Sequence, residues 1–381
     1  MLAVEIEALG WAGRFEEMSE RASEAIRVLE PGSIDWCSAG AGLLLLGGAS
    51  IPVEQLLPIV GSVAFMPLHA NASLVHIRIH AIVALLLYRA GQLPMADNVR
   101  ERLLPLEEAP ETTRLTRGWI EMVKVYASRF GHDRKPHVTR DAALAAASYF
   151  EAAYDLRSQA FALVDAAYAE LAMGRIETGL ALANRGRELA SRLGIGFVAL
   201  YGGGLAANAL GRLGRMPEAR ALAREVADAS SARKDRINVG FTLHLLAVVE
   251  LLSGDYERAR DLSGAAAEQP GLVPPTLAYA YATSARAAAR LGDAEEAMRC
   301  ATRAVDLMNT VTTTDMAEGW VRLAWIEALT AVGRMEDRAE AVALAQGRLE
   351  ERASGMTTVE RTAFFSLPEH AETLALSAET T

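Results

Sequence analysis

The chain has 381 residues, 51% hydrophobic and 23% charged, a balance that excludes a disordered chain. A formal net charge of −10 lacks the basic footprint that phosphate backbones reward, so direct nucleic-acid binding is not expected. Two cysteines, Cys37 and Cys300, are too few for a disulfide framework or a zinc cluster, and they read as small buried hydrophobes in a reducing cytosol.

At the start, Glu5 and Glu7 stand where a secretory leader would carry basic residues. The longest apolar runs, 39–49 and 81–88, are too short to span a bilayer, so a cytoplasmic protein without membrane contact is expected. The helix before Gly13 has only about ten residues, fewer than a full repeat helix would need. The chain is therefore expected to begin inside a repeat. Its first helix would leave Leu2, Ile6, Leu9 and Trp11 poorly covered, inviting self-association or docking to another chain.

Further along, glycines punctuate helical stretches. Gly13, Gly48, Gly91 and Gly131 are weak copies of the signal. Gly174, Gly214, Gly254, Gly292 and Gly333 are strong ones, spaced by 38 to 41 residues. A period near 40 marks a stacked array of supersecondary units. Each glycine suits a left-handed helix end, and an acidic residue just beyond favours the next helix start. Leu252-Ser253-Gly254-Asp255-Tyr256-Glu257-Arg258-Ala259 reads as helix end, turn and helix start. The spacing predicts a first helix over 236–253 and a second over 256–267, with polar linkers at 230–235 and 269–275.

Fixed columns surround these glycines. Seven residues before them stand Ala167, Ala207, Ala247 and Ala285, with Ile326 the exception; five after stand Ala219, Ala259 and Ala297, with Gly179 also small and Arg338 out of pattern. Small residues at fixed places let two helices approach closely. Thirteen before stand Phe161, Tyr201, Phe241, Tyr279 and Trp320, a ladder expected to pack between neighbouring units. No period-2 alternation appears, and Ala, Leu, Arg and Glu dominate, so the fold class is all-α.

The small–Gly–Asp–Tyr–small spacing of Ala247, Gly254-Asp255-Tyr256, Ala259 and Ala266 resembles the tetratricopeptide repeat, well over 161–352 and loosely before. The usual unit is 34 residues, so these units carry longer helices or linkers. The longer period resembles the repeat arms of large bacterial signalling ATPases, namely maltose-regulator-like LuxR-type activators and kinase–ATPase–repeat chains. The tail from Phe364 to Leu374 resembles the closing segment of the latter. The resemblance implies a right-handed superhelical solenoid of antiparallel helix pairs, acting as a sensing or partner-binding arm. The chain departs from those families in having no phosphate loop, since none of Lys124, Lys135 and Lys234 follows a glycine. Kinase and helix-turn-helix signatures are also absent. The array is expected to comprise divergent repeats over 1–156, well-matched repeats over 157–352, and a capping helix and tail over 353–381.

Candidate chemistry is sparse. His76 and His80 share a helical face at i, i+4, but without an intervening acid they read as exposed or hydrogen-bonded histidines. His132-Asp133 with His137 reads as a connector, and Gly202-Gly203-Gly204 as a close-packing point, since no strand precedes it. No nucleophile has a plausible partner, so neither an enzyme nor a cofactor is expected. Binding columns are free to vary between repeats, whereas structural ones stay alike. On that ground Tyr168, Asn208, His244, Arg286 and Glu327 are expected to line a concave recognition groove for a protein partner: a peptide, a helix or a regulatory subunit. The alternative is an arm that senses a small effector, walled by Phe161, Tyr201 and Phe241, and regulates an ATPase or kinase.

Overall fold

A computed structural model describes residues 2–12, 14–47, 53–69, 72–107, 112–131, 134–232, 236–269, 272, 274–310 and 317–377. Among the described residues it holds twenty α-helices and one 3-10 turn (Leu104–Leu106). In chain order the helices are α1 (Leu2–Trp11), α2 (Phe15–Val28), α3 (Ile34–Gly47), α4 (Val53–Phe65), α5 (Leu74–Arg89), α6 (Leu93–Leu103) and α7 (Arg114–Phe130). Then follow α8 (Pro136–Ala152), α9 (Leu156–Ala172), α10 (Ile176–Arg192), α11 (Gly196–Arg212), α12 (Met216–Ala232), α13 (Arg236–Leu252) and α14 (Tyr256–Ala267). The last are α15 (Pro274–Arg290), α16 (Ala294–Thr310), α17 (Ala317–Ala331), α18 (Met335–Ala353), α19 (Thr358–Phe365) and α20 (Pro368–Ala375). The all-α helix-pair repeat expected from the sequence is the fold.

The forty-residue period has a simple construction. From α8 to α12 every helix has 17 residues, and three-residue turns join them at 153–155, 173–175, 193–195 and 213–215. The unit is therefore a twenty-residue helix-plus-turn used twice. Gly174, Gly214, Gly254, Gly292 and Gly333 all have positive φ, as their place in the sequence pattern predicts. Gly91 does too, while Gly13 and Gly48 lie outside the described residues. The alternate turns use Gly194 and Tyr154, the latter at φ 59, a position that no glycine announced.

The chain divides into two compact units, one of residues 1–127, 141–165 and 185–199, the other of 128–140, 166–184 and 200–381. In the first, α1 packs on α2 and α3, and Ile6 is fully buried. Trp11 stacks on Phe197 at 6.2 Å, with the Arg157 guanidinium 5.3 Å from its ring. The expected bare patch is thus partly closed from within the chain: Ile6 and Trp11 are buried and Leu2 and Leu9 half-buried, while Val4 is 74% exposed. The histidines of α5 are held by carbonyls, His80 between those of His76 and Met66, and His76 by that of Gly32.

In the second unit the small-residue columns are contact points. Ala167, Ala207, Ala247, Ala285, Ala219, Ala259 and Ala297 are all buried. Gly211 approaches Val249 so closely that a Cβ would lie 2.4 Å from its side chain. Gly202, Gly203 and Gly204 are buried inside α11, with Gly204 facing Phe241 and Leu245 of α13. The aromatic ladder packs as expected where it is best described: Tyr201 meets Phe241 at 5.1 Å, and Tyr279 meets Trp320 at 5.7 Å. The linker expected at 230–235 begins later, because α12 continues to Ala232 and buries Ser230. Cys37 and Cys300 are free and buried, as expected, and burial pushes their thiols up to about 11 and about 12. Among the described residues no helix is long and apolar enough to cross a membrane.

Candidate partner-binding site

The five variable-column residues sit on successive first helices of the second unit: Tyr168 on α9, Asn208 on α11, His244 on α13, Arg286 on α15 and Glu327 on α17. They form a largely buried polar seam at the positions expected to line a groove. The first four are no more than 7% exposed, and Glu327 is half-buried. Only Arg286 and Glu327 touch directly among the bonds described, in a fork with Nε–Oε2 2.9 Å and Nη2–Oε1 3.1 Å. Tyr168 lies under the Arg129 guanidinium at 3.6 Å, and His244 packs on Tyr279 at 4.1 Å. Burial pushes the His244 imidazole down to about 3, so it is neutral at physiological pH.

The cover at Arg286 comes from the end of the chain. After α18, residues 354–377 carry two short helices that return across the second unit. Phe364 of α19 joins Met173, Leu349, Ala353 and Met356 in a buried apolar cluster. Gly174 lets that happen, because a Cβ there would lie 2.1 Å from the Ala363 carbonyl oxygen. Glu360 pairs with Arg140 of α8 and closes a capping box on Thr357 at the start of α19.

α20 then meets the seam with two carboxylates. Glu369 accepts two bonds from Arg212 at the end of α11, Nη2–Oε1 3.0 Å and Nη1–Oε2 3.2 Å. Arg212 is fixed in turn by Asn208, through Nε to Oδ1 at 3.2 Å. Glu372, three residues on and hence on the same face, accepts from Arg286 Nη2 at 2.6 Å and from Arg290 Nη2 at 3.4 Å. Burial alone would raise the Glu369 carboxyl, but the facing Arg212 guanidinium outweighs it and holds the group at about 2. Burial would likewise lower Arg212, and Glu369 raises it instead. His370, the next residue, is buried against Phe364, its Nδ1 bonded to the Phe364 carbonyl at 2.8 Å, and burial takes its imidazole down to about 4 despite Glu369. Gly319 of α17 makes room for that ring, since a Cβ there would lie 2.7 Å from His370 Nε2. Gln346 of α18 donates to the carbonyls of Thr373 and Leu376 and closes the C-terminal end.

The sequence columns missed Arg212 and Arg290. Two residues before the five strong glycines stand Ala172, Arg212, Leu252, Arg290 and Ala331, a column of three residue types where those used hold five. The recurrence of arginine at that place in two of the five units is the weak signal the sequence offered. Three seam side chains also bury hydrogen-bonding atoms with no partner among the described residues: Asn208 Nδ2, His244 Nδ1 and Nε2, and Arg286 Nη1. His132 and Asp133 lie outside the described residues. Among the described residues no group of three or more potential ligands is arranged for a metal.

No family model matches the chain, and no curated protein matches it in sequence. Among solved structures it is similar to a Rap protein complexed with competence and sporulation factor, with a TM-score of 0.60 and 12% identity over 89% of this chain and 96% of that one. The apo form of RapI gives a TM-score of 0.50 and 11% identity, over 89% and 97%. Yeast Tom70 is a looser likeness, with a TM-score of 0.46 and 11% identity over 98% and 91%. At such identities the likeness carries the fold alone, an all-α array of TPR-like helix pairs.

Proposed function

We propose that the chain is a protein-binding scaffold whose first-helix seam in the second unit recognises a peptide or helix, as an arm of a signalling or regulatory system. The observation that carries the reading is that the seam already holds a helix: Arg212 and Arg286 grip α20 through Glu369 and Glu372. A surface that orients one helix by paired charges has the chemistry to orient another. The Rap structure supports it by analogy, since a chain of similar fold is there complexed with competence and sporulation factor. The resemblance to signalling-ATPase repeat arms points the same way.

The test is a selection of displayed helical peptides on the full chain, followed by hydrogen-exchange mapping of the binders. Protection over α11, α13, α15 and α17 is the expected outcome. Binders that protect only other helices would remove the reading.

A further inference from the structure

The interactions of α20 define what the seam selects. We propose that the seam from Arg212 to Arg290 is a docking site for an acidic helix bearing two carboxylates three residues apart, and that α20 is a built-in occupant which such a partner displaces. This rests on the binding role argued above and adds to it the chemistry of the partner and the competitor.

Three observations support it. The first is charge complementarity in register. Glu369 and Glu372 lie one helical turn apart, and each faces a guanidinium from a different repeat, Arg212 from α11 and Arg286 from α15. The second is a gradient of exposure along the contact. Side-chain exposure is 6% at Glu369 but 41% at Glu372, whose partner Arg290 is 43% exposed. The contact is therefore sealed at one carboxylate and open to water at the other, where an incoming helix can begin the exchange. The third is that α20 leaves donors unused. Asn208 Nδ2 and Arg286 Nη1 are buried with no partner among the described residues, so a helix with further acceptors would satisfy groups that α20 does not.

The tether matters as much as the contacts. α20 follows α19 after two residues, and α19 is anchored by Phe364 in its apolar cluster and by Glu360 on Arg140. A segment tethered so briefly competes at a high effective concentration. An added helix therefore binds only in proportion to the fraction of chains in which α20 has let go. Weakening α20 without touching the seam should thus strengthen binding of an added acidic helix. A purely structural cap would produce no such gain.

The experiment uses the full chain and a fluorescein-labelled synthetic peptide with the sequence of residues 357–377. Binding is read by anisotropy for wild type, Glu372→Gln and the double variant Glu369→Gln/Glu372→Gln, with circular dichroism as a check on helix content. The expected result is at least ten-fold tighter binding by the double variant and a few-fold gain for Glu372→Gln. A peptide carrying the same two Gln changes should lose at least ten-fold. Equal affinity across wild type and folded variants, or no loss with the Gln peptide, overturns the proposal. Should the double variant lose its helix content, Glu372→Gln decides by the same comparison, because its carboxylate is half exposed. The two readings fail separately. Selected peptides that protect the seam but are neither acidic nor bound more tightly by the variants leave the scaffold role standing and remove this inference. Binders that protect only other helices remove both.

Discussion

Two stretches of the same seam behave differently. In the α11–α13 stretch the aromatic ladder residues Tyr201 and Phe241 touch each other and stay half-buried. In the α15–α17 stretch the equivalent Tyr279 and Trp320 are buried, Trp320 completely. There Trp320 Nε1 donates to Thr283 Oγ1 at 3.0 Å, and Arg286 sits 4.4 Å above its ring. The ladder position is the same and the residue type is aromatic in all four. What differs is the layer above: α15 and α17 carry Arg286 and Glu327, whose charges join those of α20 over the rings. A repeat fixes the place of a side chain, and the elements laid across the repeats fix its burial.

Truncating the ladder is the most forceful way to test that contrast. Trp320→Ala should cost about 3–5 kcal/mol of stability, the range for a buried aromatic. Phe241→Ala, half-buried, should cost about 1–2 kcal/mol on area grounds. Urea unfolding of both variants measures the gap, and equal losses would erase the distinction between the stretches. The turn glycines offer a second contrast. Gly214 has positive φ but open space around its missing Cβ, whereas Gly174 faces the Ala363 carbonyl. Gly214→Ala should cost about 1 kcal/mol from backbone strain alone, and Gly174→Ala at least about twice that. Thermal melts should rank them in that order.

Acid should first attack the buried histidines of α13 and α20. His244 and His370 have imidazoles lowered to about 3 and about 4, so below pH 6.5 the unfolded chain takes up protons that the folded one refuses. Each should remove about 1 kcal/mol of stability per pH unit between pH 6.5 and its folded value. The depressed carboxyls act lower. Glu369, and Glu318 beside Arg322 and Arg348, are both held at about 2, so their contribution is present above pH 4.5 and lost as pH falls from 4.5 towards 2. Denaturant midpoints measured from pH 7 to pH 4 should fall, and His370→Gln should flatten part of that fall. The smallest effect is expected at Glu372→Gln, below about 1 kcal/mol because the pair is half exposed. Its signature should be faster hydrogen exchange in α20 with little change in global stability.

Much of the fold was legible in the sequence because it is local. The five strong glycines, the alanines around them and the helix over Tyr256–Ala267 all follow from short-range spacing, and all stand where the spacing puts them. The alternate turn at Tyr154 was hidden, because a tyrosine in the left-handed region carries no general sequence signature. The contacts around α20 were half legible. Variation in a column singled out Arg286 and Glu327 of the side chains around α20, but Arg212 and Arg290 stand in a column of only Ala, Arg and Leu that the same reasoning passes over. The return of α20 was not legible, because Arg212 and Glu369 are 157 residues apart and no periodicity links them. Nor was the burial of Trp11, which depends on Phe197 and Arg157 from distant helices.

The seventeen-residue helices with three-residue turns also set the grain in which the chain can be edited. Excising one helix and its turn removes twenty residues and reverses the up-down sense of every helix that follows. Excising forty, as from Ile176 to Arg215, preserves that sense and removes one complete pair. Lengthening and shortening of such a chain by whole pairs is therefore conservative, whereas a change of one helix turns every later first helix into a second.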